Sequence, residues 1–341
     1  MKAAVYHGPQ DITVDEVELR ELKPNEVKIK VKYCGVCGTD IHIYNGDGGS
    51  SDVTPPLIPG HEYSGVVAEV GSAVTAVKPG DRVTGDPNIM CGECYFCKMG
   101  EQHFCKNNIG IGTTWDGAFA EYLIMPEKGV YKIADDLDFM LAAMTEPISC
   151  CLNGIDLCNI KMGSTVLVIG GGPIGMIMLQ LAKYAGAGKL IMSEPVQEKR
   201  DLAMELGATL TIDPTSQDIK TILDDYCENV DVVIECVGNI HTQEQAVQLA
   251  GNTATVMFFG LAAPGESFPL KPDDVFKKEL HITSSYINPY TFERAIQVIA
   301  SGNIVLDKLV TNIVPLDDIV KALSDPEMRR TGKVMIKVDE G

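Results

Sequence analysis

The sequence predicts an α/β protein of two domains, a β-rich one followed by a doubly wound parallel sheet. Three observations carry that expectation. The chain has 341 residues, about twice the usual domain length. Up to about Ile133 it alternates short β-branched runs with Gly and Pro punctuation, the texture of a barrel or sandwich. Beyond Leu141 apolar strands alternate with helical stretches, as a parallel sheet with crossover helices requires.

In the β-rich part, strands are expected at 27–32, 65–70 and 81–84, with turns at Pro24, Pro59, Pro79 and Gly80. A helical stretch over 142–157 leads to Thr165-Val-Leu-Val-Ile169, a run fit for a strand buried on both faces. Further strands are expected at 189–192, 230–234 and 255–259, with helices at 199–206 and 242–249 between them. The tail carries a helix at 292–300 and a strand at 333–338, and is expected to return to the first domain. The domain limits that follow are 1–147, 148–285 and 286–341.

Composition narrows the function. At 45% hydrophobic and 22% charged, the chain is an ordinary globular one. Its net charge of −19 opposes nucleic acid and anionic membranes, which are bound through Lys and Arg. The uncharged stretch 163–182 is long enough to mimic a membrane span, but Gly170-Gly-Gly-Pro-Ile-Gly175 interrupts it. Strand, turn and helix is the better reading. The first residues lack the apolar core of a secretory signal, and eleven cysteines is an odd count. Both features point to a reducing compartment, the cytoplasm, where clustered cysteines bind metal rather than pair.

Cys91-Gly-Glu-Cys94-Tyr-Phe-Cys97 is followed by Cys105. Four thiols within fifteen positions match a closed, tetrahedral structural zinc site, which has no room for substrate. A zinc ribbon reading nucleic acid would start from the same cysteines, but the net charge opposes it.

Gly170-x-Gly172-x-x-Gly175 follows an apolar strand and opens a helix, the context that makes it a dinucleotide loop. Gly170 permits the tight turn, Gly172 lets backbone approach a pyrophosphate, and Gly175 lets helix and strand pack closely. Pro173 suits a first helical turn, and Ile174 completes the set of residues whose backbone faces the phosphates. Glu194, nineteen residues beyond Gly175, ends the next strand. A carboxylate there accepts both ribose hydroxyls and repels a 2′-phosphate, which favours NAD. An ordinary surface charge is the alternative for Glu194. Lys199 and Arg200 follow closely, and a cation near this pocket accommodates a phosphate.

A second metal set comprises Cys37-Gly-Thr-Asp40-Ile-His42, Gly60-His-Glu62 and Thr145-Glu-Pro147. Together with the four-cysteine lobe and the glycine loop, in this order and over essentially the whole chain, these motifs resemble the zinc-containing medium-chain alcohol dehydrogenases. The likeness is greatest to the sorbitol, xylitol and butanediol branch, with threonine dehydrogenase a near relative. The resemblance implies a GroES-like catalytic domain joined to a Rossmann NAD-binding domain. It implies Cys37 and His61 as ligands of a catalytic zinc, with Glu62 a third or exchanging ligand. Glu146 would ligate the metal or hold its water, and Thr39 and His42 would relay the proton. Cys34 is expected to be a buried structural thiol. Two zinc ions per chain are thus expected, one catalytic and one structural. The remaining expected partners are a small alcohol substrate and further copies of the chain, as dimer or tetramer.

The implied reaction is hydride transfer from an alcohol carbon to NAD. Zinc lowers the pKa of bound water from 15.7 to about 7. A similar drop for an alcohol is worth on the order of 10 kcal/mol. Glu146, Asp86-Pro-Asn88 and Tyr286-Ile-Asn-Pro-Tyr-Thr-Phe292 resemble the polyol branch. Ser285 departs from it, since animal sorbitol dehydrogenases have an arginine there. A polyol, a polyol phosphate or a diol therefore stay open as substrates. L-threonine oxidation, or a non-catalytic zinc protein, are the alternatives.

Overall fold

A computed structural model describes residues 1–47 and 53–339. The chain forms two compact units, one of Met1–Ser149 with Pro289–Gly302 and Leu306–Gly341, the other of Cys150–Asn288 with Asn303–Val305.

The first unit is built on a seven-stranded sheet. Its strand order is Val310–Pro315, Lys333–Lys337, Glu26–Gly35, Glu62–Val70, Arg82–Gly85 and Val130–Lys132, with Tyr122–Pro126 also paired to Glu26–Gly35. All these pairs are antiparallel except that of the first two strands. The central strand reads Val27-Lys-Ile-Lys-Val-Lys32, and its period of two sends Val27, Ile29 and Val31 into the core while the lysines stay partly exposed. Tyr63, Val67, Val83, Phe119, Leu123 and Met125 close on the same core, each side chain contributing roughly 1.5–3 kcal/mol by burial.

The second unit holds six parallel strands in the order Leu210–Ile212, Lys189–Ser193, Thr165–Ile169, Val232–Glu235, Thr255–Phe258 and His281–Ser284. Every residue of Thr165–Ile169 is buried, as a central strand covered on both faces must be. Strand order reverses beside this strand, and the crevice at such a switch point is where open α/β sheets bind ligands. The outermost strands carry no apolar run that would announce them in the sequence.

One expected helix is two. Instead of a single helix over 142–157, the chain forms Phe139–Ala142, capped by the Asp138 carboxylate, and Thr145–Cys158. Pro147 has no N–H to donate back into the preceding turn, so it belongs to the first turn of a new helix. The Thr145 hydroxyl donates to Ala142 O at 2.7 Å and seals the break. The stretch 163–182 becomes a strand, a turn and most of helix Pro173–Tyr184. No helix among the described residues is long and apolar enough to cross a membrane.

Candidate metal centres and nucleotide loop

The lobe cysteines converge. The sulfurs of Cys91, Cys94, Cys97 and Cys105 all lie within 4.8 Å of one another. Cys91 Sγ stands 3.5 Å from Cys105 Sγ and 3.9 Å from Cys97 Sγ. A tetrahedron with Zn–S bonds of about 2.3 Å sets its sulfurs about 3.8 Å apart, so the four fit zinc. Without a cation the crowded thiols ionise unequally. Backbone N–H groups of Cys97 and Lys106 bring Cys94 down to about 6, while desolvation pushes Cys97 up to about 12.

A second group forms in the first unit. Cys37 is the N-cap of helix Gly38–Asn45, and the Asp40 carboxylate closes a capping box by accepting from Cys37 N at 2.8 Å. Pro59 and Gly60, the latter at φ +96°, turn the chain so that His61 stands just before, and Glu62 opens, the strand Glu62–Val70 beside Cys37. One donor atom each from Cys37, His61 and Glu62 lie within 4.8 Å of one another. Thiolate, imidazole and carboxylate form a three-ligand set of the kind that leaves zinc a free position. His61 Nδ1 faces Asp40 Oδ1 at 3.4 Å, and both atoms are buried without an aligned hydrogen bond. Burial alone would lower the His61 pKa, but the charges of Asp40 and Cys37 beside it raise it well above 6.5. Cys34 is fully buried and outside the group, its thiol pushed up by desolvation.

Glu146 is buried at the start of helix Thr145–Cys158 and is not one of the three residues within that 4.8 Å set. The Thr39 hydroxyl stands 3.8 Å from Cys37 Sγ. His42 lies on the same helix with its side chain 45% exposed and Nδ1 3.9 Å from Asp47.

The glycine loop of the second unit has the expected form. Gly170 adopts φ +99°, and a side chain on Gly175 would collide with the Gly170 carbonyl. A Cβ on Gly172 would meet no protein atom within 4 Å, so its missing side chain leaves space outside the protein rather than inside it. Gly172 caps helix Pro173–Tyr184, with Pro173 in its first turn and the N–H groups of the next residues unpaired by the helix. Glu194 is buried, accepting from Gly171 N at 2.7 Å and from Val196 N at 2.9 Å. Arg200 is occupied by the carbonyls of Glu194 and Pro195, each at 2.7 Å. Lys199 is half-buried on helix Gln197–Leu206, which follows Glu194.

Residues 23–135 match the family described as the alcohol dehydrogenase GroES-like domain, and residues 173–301 the family described as zinc-binding dehydrogenase. An L-threonine 3-dehydrogenase of Rhizobium etli is 32% identical, covering 98% of both chains. D-arabinitol dehydrogenase 1 of Uromyces fabae is also 32% identical, covering 99% of this chain and 97% of its own. A protein of Sinorhizobium meliloti 1021, described as a zinc-binding dehydrogenase and solved bound to NADP, superposes with a TM-score of 0.94 at 40% identity over 98% of each chain. The chain belongs to the zinc-containing medium-chain alcohol dehydrogenases. The fold is that family's, a GroES-like domain joined to a Rossmann-type unit with a parallel sheet.

Two residues of this dehydrogenase lie at the metal group without having been singled out from sequence. Asp40 sits inside the Cys37–His42 motif, but only the fold turns its carboxylate toward both Cys37 and His61. Lys333, on strand Lys333–Lys337, is buried and ion-paired with Glu62. Burial would lower its pKa, yet the charges of Glu62, Cys37 and Glu146 raise it. No signal in the sequence links it to Glu62.

Proposed function

We propose that the protein oxidises a secondary alcohol of a polyol, polyol phosphate or diol to a ketone, with NAD as hydride acceptor. The observation that carries this reading is the convergence of Cys37, His61 and Glu62 in a chain that also presents a glycine loop with a buried Glu194.

Cys37 and His61 hold the catalytic zinc, and Glu62 is its third or exchanging ligand. Zinc bound there supplies a Lewis acid that lowers the pKa of a hydroxyl beside it. Asp40 fixes the orientation of the His61 ring, as outer partners of metal-bound histidines do. Glu146 ligates the metal or holds a water next to it. The Thr39 hydroxyl and His42 carry the released proton toward solvent. Gly170, Gly172, Pro173, Ile174 and Gly175 receive the pyrophosphate, Glu194 binds the ribose hydroxyls, and Lys199 flanks them. The zinc held by Cys91, Cys94, Cys97 and Cys105 is structural.

The working divisions are a catalytic domain of 1–147 completed by 286–341 and a nucleotide domain of 148–285. The protein acts in the cytoplasm as a homo-oligomer, with neither nucleic acid nor membrane as partner. The threonine dehydrogenase relative keeps L-threonine as a second reading, and the arabinitol dehydrogenase relative supports the first.

An NAD-reduction screen over polyols, polyol phosphates, diols and L-threonine tests the reading. Turnover with a polyol or diol supports it. Turnover with L-threonine alone replaces it with the second reading. Absence of both turnover and NADH fluorescence change defeats both.

A further inference from the structure

Glu62 has two claimants. Its carboxylate lies within 4.8 Å of the Cys37 and His61 donor atoms, and its Oε2 forms an ion pair with Lys333 Nζ. Neither partner is open to water, Glu62 being 1% and Lys333 6% exposed. The pair lies over Gly35, where a Cβ would collide with both Glu62 Oε2 and Lys333 Cε. Gly35 is directly opposite Glu62 on one side of its strand and Met335 on the other. Val36 N donates to Val334 O at 3.0 Å, which carries the strand of Lys333 on toward Cys37. A glycine in the middle strand thus opens a slot through which an ammonium from one neighbouring strand reaches a carboxylate on the other.

We infer that Lys333 is a positioning residue that competes with the catalytic metal for Glu62. The inference rests on the reading of Cys37, His61 and Glu62 as a zinc site. A buried ammonium left without its carboxylate is strongly destabilised, so Glu62 does not commit fully to a metal while Lys333 is present. Glu62 is thereby kept a labile third ligand, and the metal keeps the open position that a catalytic site needs. Without Lys333 nothing opposes a tight Glu62–metal bond. Such a site holds zinc better and serves substrate worse.

The test is zinc affinity at the second site of the full-length protein, measured by chelator competition with the lobe zinc in place. Lys333→Met tightens zinc by at least about tenfold, the scale on which outer partners act on metal affinity, and lowers kcat. Lys333→Gln, which keeps a polar group in the slot, gives a smaller shift in the same direction should the Met variant fold poorly. Lys333→Arg stays near wild type. In a Glu62→Gln background, Lys333→Met loses most of its effect on affinity, because the carboxylate it acts through is gone. A Lys333→Met or Lys333→Gln protein that is folded and binds the second zinc no tighter than wild type overturns the proposal alone. A wild-type protein that takes up one zinc only overturns the zinc reading and the proposal together.

Discussion

Asp40 holds Cys37 N with one oxygen and faces His61 with the other, so a single buried side chain sets two prospective ligands. Asp40→Asn should weaken zinc binding at the second site about 10–100-fold, the usual cost of losing an outer partner. The same contact links metal to protons. The raised His61 pKa favours the imidazolium in the metal-free site, whereas zinc needs the neutral ring. Zinc affinity should therefore fall as pH falls, with a proton released on binding that calorimetry in buffers of different ionisation enthalpy will count. Asp40→Asn should reduce that release. For stability the sign is opposite. The His61–Asp40 contribution to the metal-free fold is complete below about 6.5 and is lost as pH rises through the raised value. At the nucleotide loop, Glu194→Ser should shift the ratio of kcat/KM for NAD over NADP toward NADP. Removing the carboxylate removes both a ribose contact and the repulsion of a 2′-phosphate. An unchanged ratio would mean that Glu194 serves only the amides of Gly171 and Val196.

At the scale of elements, the cysteine lobe is held by its sulfurs, local hydrogen bonds and surface ring contacts rather than by a buried core. Its helix Tyr95–Lys98 buries no residue, and Tyr95, Met99 and Phe104 are exposed. Structural zinc contributes roughly 10–16 kcal/mol of apparent binding energy in small zinc-finger peptides. Cys94→Ser should accordingly lower the melting temperature and solubility while leaving one zinc per chain by elemental analysis. A variant that keeps two zinc ions would remove Cys94 from the site. Such local features were legible in the sequence because their information is local. The four cysteines, Gly170 to Gly175, and the strand Thr165–Ile169 are each specified by spacing or by an unbroken apolar run. Strands Leu210–Ile212 and His281–Ser284 were not legible, since three or four residues containing Thr and His carry no pattern, and neighbouring strands define them. The break between Phe139–Ala142 and Thr145–Cys158 was signalled by Pro147 but masked by the apolar periodicity on both sides. Lys333 was beyond reach: a lysine opening a strand reads as a solvated edge residue until the sheet order sets it against Glu62.

On the scale of the molecule, the two units differ in how their chain is used. The nucleotide unit draws all six strands from one continuous stretch, whereas the other recruits Val310–Pro315 and Lys333–Lys337 from the far end of the sequence. A chain ending at Gly332 should keep NADH binding, read by fluorescence, while losing the zinc of Cys37 and His61, because an inner strand of the sheet that carries them is gone. Retention of both zinc ions would contradict this. The same layout sets a timetable for biogenesis. Ribosomes add about 5–20 residues per second, so the 271 positions separating Glu62 from Lys333 (333 − 62) take roughly 14–54 s to emerge. During that interval Cys37, His61 and Glu62 are already outside the ribosome without their sheet partner, while the six parallel strands can collapse and finish. The nascent protein therefore passes through a stage in which the parallel sheet can be complete while Cys37, His61 and Glu62 still await the strand Lys333–Lys337 that pairs beside them.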